Sequence, residues 1–166
     1  MLNNYEVMAQ YNHWMNQKLY AICAEIPDSK RKEDLGAFFK SIHGTLNHLL
    51  FGDRAWIGRF IGEPFTAKIG DELYEDFNEL VVQREITDLQ IIKWSKNLSS
   101  EWLHQDFKYI SGVDGKTRIL PAWVLVTHMF NHQTHHRGQL TTLLSQLGYN
   151  PGVTDLPFLP WLNTIS

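Results

Sequence analysis

The sequence predicts an all-α fold: a bundle of four long helices, with one small β-hairpin between the third and fourth. Three observations predict it. Four segments repeat apolar residues every three or four positions, the period of a helix with one buried face. Proline and glycine stand at several ends of these segments, where helices stop or start. Two short apolar runs flank Asp114-Gly115, a turn dipeptide that favours a hairpin. The chain has 166 residues, enough for one domain with a real core, so residues 1–166 are read as a single unit.

In the first helix Met8, Tyr11, Met15, Leu19, Ile22 and Ile26 keep the rhythm, and Pro27-Asp28-Ser29 stops it. In the second, Phe39, Ile42, Leu46, Leu49, Trp56 and Phe60 form the stripe, with Asp53 in its one gap; Gly62 and Pro64 close it. The third carries Leu73, Phe77, Leu80, Ile91 and Leu98, with Arg84 and Asp88 in the middle. The hairpin runs are Phe107–Ile110 and Thr117–Leu120. The fourth helix starts after Pro121 and ends at Gly148, with Leu125, Met129, Leu140, Leu143 and Leu147 inward. The segment from Tyr149 to Ser166 has three prolines and no period. It is expected to be ordered and extended, because Leu156, Phe158, Leu159 and Trp161 are apolar.

Composition narrows the function. Apolar residues make up 43% and charged residues 20%, with a formal net charge of −3. That balance gives no reason to bind nucleic acid or anionic lipid. No segment reaches the roughly 18 apolar residues of a membrane span, and Met1–Glu6 has neither a basic start nor an apolar run, so no secretory signal is expected. The one cysteine, Cys23, has no disulfide partner and reads as a small core residue; these points favour the cytoplasm.

The distinctive feature is histidine: 8 residues, four of them between His128 and His136. His132 and His136 lie one helical turn apart, inside the apolar arc, with His128 and His135 at its margin beside Asn131 and Gln146. An i, i+4 pair can chelate one ion about 2.0–2.1 Å away. His128 and His136 are two turns apart, roughly 12 Å along the axis, so this helix supplies one pair and a third ligand comes from elsewhere. His48 is the best donor. It lies mid-helix on a stripe with Ser41, Gly44, Gly52 and Ala55, small residues that leave room beside its ring. His43 and His13 are alternatives with less support, and His104 reads as a surface residue.

Several other polar residues are candidates. Asp53, Arg84 and Asp88 occupy inward positions, either as a buried charge network that sets helix register or, for Asp53 or Arg84, as groups that orient a ligand or substrate. Arg137 either binds a substrate carboxylate or is a solvated charge. Asn47 and Gln139 flank the histidines. Trp14, Trp56 and Trp123 are expected in the core.

The run from His128 to Leu140 (HMFNHQTHHRGQL) resembles the helix-four motif of the DinB family, also called DinB/YfiT-like. Tyr11-Asn12-His13-Trp14-Met15-Asn16 is similar to that family's N-terminal motif. So is Ser41–His48 with Asp53, Trp56 and Arg59, and so is Asp155–Pro160 near the end. The resemblance implies an up-down four-helix bundle and a divalent-metal site on His48, His132 and His136. It also implies an S-transferase that uses a low-molecular-weight thiol and a small electrophile. The family name refers to DNA-damage-inducible expression, which concerns regulation and not activity. Zinc, nickel, iron or copper would suit three imidazoles. A metal-assisted hydrolase, with Asp53 as base, and a non-catalytic bundle braced by metal, closed by His128 or His135, are the competing expectations. A homodimer is expected as for many bundles.

Overall fold

The computed structural model describes residues 2–163 and is mostly helical, with one two-stranded antiparallel sheet. The elements in order are α1 (Leu2–Ala24), α2 (Asp28–Arg31), α3 (Ile42–Ile61), α4 (Phe77–Ser95), α5 (Ser100–His104), β1 (Asp106–Ile110), β2 (Thr117–Pro121) and α6 (Ala122–Gln146). Two 3-10 turns follow, Leu156–Phe158 and Pro160–Asn163. None of the described helices is long and apolar enough to cross a membrane.

Local chemistry explains most boundaries. Ser41 caps α3 by accepting from the Gly44 amide at 2.9 Å, and Gly62 ends the helix in the left-handed region at φ 77°. Asp76 caps α4 through the Glu79 amide at 2.8 Å. β1 and β2 pair in register from Asp106 opposite Pro121 to Ile110 opposite Thr117, with Gly115 at φ 68° in the connection.

These caps also correct the periodic reading. Phe39 lies outside α3, before the Ser41 cap, and Leu73 and Leu98 lie outside α4. Apolar spacing continued past the helices because these loop residues also pack on the core: Leu73 and Leu98 are partly buried against it. The short α2 and α5 escape a periodic reading because four or five residues hold too little of a period. Near the end of the chain, Leu159 is buried, but Phe158 and Trp161 are about half exposed, at 55% and 48%. Residues 164–166 of the expected extended segment lie outside the described residues.

The four long helices pack as a ring: α1 against α4 and α6, and α3 against α4 and α6. The core has two apolar parts. One holds Met15, Leu19, Leu46, Leu50, Leu80, Leu140 and Leu144. The other holds Tyr5, Trp56, Ile57, Ile91, Leu125, Val126 and Phe130. In sequence, three helices pass from one part to the other through buried polar residues: Asp53 on α3, Arg84 and Asp88 on α4, Gln133 and Arg137 on α6; Asn12 of α1 is also buried and bonds to Asp53 and Asp88.

Candidate metal centre

Two helices build the centre. α3 brings His48, and α6 brings His132 and His136 from adjacent turns. The His48 Nε2 lies 3.2 Å from the His132 Nε2 and 3.1 Å from the His136 Nε2, and one ligand nitrogen from each of the three lies within 4.8 Å of the others. Two nitrogens bound to one ion at about 2.05 Å, at a tetrahedral angle, sit about 3.3 Å apart. The observed spacings fit a single divalent ion. The fold therefore brings together the three histidines singled out from the sequence as a group that could hold a metal.

The surroundings hold the rings in that pose. The Nδ1–H of His136 donates to the Gln139 Oε1 at 2.8 Å, which leaves its Nε2 lone pair toward the other two rings. Phe39, outside the helix, stacks on His48 at 3.7 Å between centroids and 17° between planes, and meets His136 edge-on at 5.5 Å. The Nδ1 atoms of His48 and His132 are buried with no hydrogen-bond partner among the described residues. Burial, with smaller repulsion from neighbouring imidazoles, pushes His48 down to about 4 and His132 down to about 3. Burial also lowers His136. All three rings are thus neutral near pH 7, the form that binds metal.

Gly52 makes the approach of α6 possible. A Cβ on it would stand 2.6 Å from the His132 Cε1 and 3.0 Å from its Nδ1. Alanine in mid-helix ordinarily favours the helix by about 1 kcal/mol. Gly52→Ala should therefore keep its helical circular dichroism yet displace His132, and its zinc affinity in a chelator competition should fall by at least about tenfold.

The three histidines line a cavity of about 720 Å³ between α3, α6, the 65–69 loop and the hairpin. Its aromatic walls include Phe51, Trp56, Phe65 and Tyr109, and its cations are Arg59 and Lys68. Among the described residues, no carboxylate lines it. The wall residues from the loop and the hairpin were not legible as site residues, since no local pattern marks them.

The other candidates fall elsewhere. His128 and His135 are exposed and line the same cavity but stand outside the close trio. His128 packs on Trp56 at 5.1 Å. The His43 Nε2 meets the Tyr74 carbonyl at 2.9 Å and Glu72 at 3.1 Å, and His13 lies 3.7 Å from Glu85 and Asp88. His104 is exposed, as expected.

Asp53, Arg84 and Asp88 form the buried charge network and do not line the histidine cavity. The Arg84 Nη2 lies 2.7 Å from Asp53 and 2.8 Å from Asp88, and Asn16 donates to Asp88 at 3.0 and 3.1 Å. Arg137 meets neither expectation: it is 4% exposed and off the cavity, donating to Asn12 and Thr134, with its guanidinium over Tyr11. The α6 arc is wide enough to hold two neighbouring i, i+4 pairs, and packing turns Gln133 and Arg137 to the core and His132 and His136 to the cavity. Asn47 is used structurally, accepting from the Leu73 and Tyr74 amides at 2.9 and 3.0 Å. Trp56 is buried and Trp14 partly buried, but Trp123 is 41% exposed, because its position on α6 turns it away from the core. Cys23 is fully buried, and burial pushes its thiol up to about 12, which suits a core residue rather than a nucleophile.

A family model described as the DinB family matches residues 1–165. The chain is also 28% identical over 152 residues to Protein DinB of Bacillus subtilis (strain 168), covering 88% of this chain and 87% of that protein. With the family match spanning nearly the whole sequence, this chain belongs to the DinB family.

Proposed function

We propose that this protein is a metal-dependent enzyme that transfers a low-molecular-weight thiol to a small electrophile. The observation that carries the reading is the convergence of three neutral imidazoles on a cavity that no carboxylate lines among the described residues. A divalent ion there, zinc, nickel or iron, would supply Lewis acidity and favour the thiolate form of a bound thiol. The protein's own groups do the rest. Gln139 fixes the His136 tautomer. Phe39 and Phe51 flank His48 and limit its access to water. The aromatic walls offer apolar surface to an organic electrophile.

Two competing readings lose support. A hydrolase with Asp53 as its base loses support because Asp53 is tied to Arg84 in the core. A closed structural site needs a fourth protein ligand, and neither His128 nor His135 joins the trio. We read the ring of long helices as the up-down four-helix bundle of the family. The cytoplasm, where thiols stay reduced, is the compartment this chemistry suits, and a homodimer belongs to the same proposal.

The test is a rate measurement. Protein loaded in turn with zinc, nickel or iron is mixed with cysteine and 1-chloro-2,4-dinitrobenzene; sulfur bonds to the ring as chloride and a proton leave. The wild type should exceed free metal plus thiol by at least about tenfold, and His48→Ala should fall to that background. Hydrolysis of an activated ester without thioether formation would instead favour the hydrolase. No acceleration of either reaction would leave a non-catalytic bundle.

A further inference from the structure

Two cations on the cavity wall lack a counter-charge among the described residues, and one of them is held in a fixed pose. Arg59 lies on α3 and is held by aromatic faces, with its guanidinium 4.8 Å from the Trp56 ring centre and 5.9 Å from that of Tyr109. Its Nη2 is 3.5 Å from the Ile110 carbonyl. Among the described residues neither Arg59 nor Lys68 has an ion-pair partner, and both line the cavity of the three histidines.

The other arginines differ. Arg31, Arg84 and Arg118 are each paired with aspartate, and Arg54 and Arg137 are hydrogen-bonded to protein oxygens at better distances. Stacking on Trp56 and Tyr109 fixes the Arg59 plane without using up its N–H donors. A fixed guanidinium with free donors, partly shielded from water, suits a planar oxyanion. Gly52, against which His132 packs, and Arg59 are seven residues apart on α3, about 10 Å along the axis. Side chains on a helix lean toward its N-terminus, so Arg59 leans toward the histidines.

We propose that the cavity takes a ligand bearing a carboxylate, which docks on Arg59 with support from Lys68 while its other end reaches His48, His132 and His136. This rests on the reading of the histidines as the reactive end and adds the substrate class: an organic acid several bonds long, not a neutral molecule.

The test compares an acid with its isosteric amide. Binding of 6-mercaptohexanoate and 6-mercaptohexanamide, and of sulfur-free hexanoate and hexanamide, is followed by NMR titration of zinc-treated protein, with zinc content measured on the same samples. Wild type should prefer each acid over its amide by on the order of tenfold. Arg59→Gln should reduce that ratio to near one, Arg59→Lys should keep part of it, and Lys68→Gln should lower it less. Circular dichroism of each variant confirms folding. Equal binding of acid and amide by wild type, no binding of either pair, or an unchanged ratio in folded Arg59→Gln would overturn the proposal. Absence of zinc would overturn the metal reading alone, because the hexanoate pair still decides the role of Arg59.

Discussion

Untagged wild-type protein should carry close to one divalent ion per chain, and His132→Ala should carry none by elemental analysis. His132 is the ring whose place depends on Gly52, and it stands 3.2 Å from His48 across the helix pair. Its loss leaves two nitrogens, too few to fill a three-ligand site. The depressed basicity of His48 and His132 strengthens the prediction, since near pH 7 metal need not compete with protons. Metal should also raise the melting temperature of the wild type. Free metal at a thousand times Kd stabilises a one-site protein by about 4 kcal/mol, and His132→Ala should gain almost none of that. Wild type that stays metal-free after incubation with zinc, nickel and iron would sink the metal centre, and with it the proposed chemistry.

The second large effect is on stability. Arg84→Met should cost about 3–5 kcal/mol in urea unfolding at pH 8, because it strands Asp53 and Asp88 inside the four-helix ring. Both carboxylates approach one nitrogen of Arg84, while its Nε and Nη1 find no acceptor among the described residues. The ring therefore depends heavily on this one group. pH gives a signature. Burial raises the Asp53 carboxyl to about 6, against the opposing pull of Arg84. A carboxyl raised on folding binds its proton more tightly in the folded state. Its contribution to stability is fully present below the unfolded value of about 4 and is lost as pH rises through about 6. Without Arg84 that shift grows, so the variant should recover part of its deficit between pH 8 and pH 5. A uniform deficit across that range would mean that Arg84 acts through packing and not charge.

Local signals in the sequence reached far in this protein. The stripes of α3, α4 and α6, the Pro121 start, the glycine at 148 and the Asp-Gly turn each concern residues within a few positions of one another. So does the pairing of His132 with His136, which needs only one helical turn. The choice of His48 drew on its small neighbours. Gly52 turned out to make room for His132, which is a contact between two helices and not within one.

What the tertiary structure decided was rotation and convergence. Successive helix positions differ by about 100°, and a wide apolar arc admits more than one i, i+4 pair. Only packing against α1 and α3 sends Arg137 to Asn12 and His136 to the cavity. Phe39 belongs to the periodic pattern of α3, yet the Ser41 cap and the turn at Lys40, φ 65°, fold it back over His48. Arg59, Lys68 and Tyr109 share a cavity although they come from a helix, a loop and a strand. A sequence specifies each face by short-range periodicity, but which faces meet depends on the summed packing of all the helices, and that sum exists only in the folded chain.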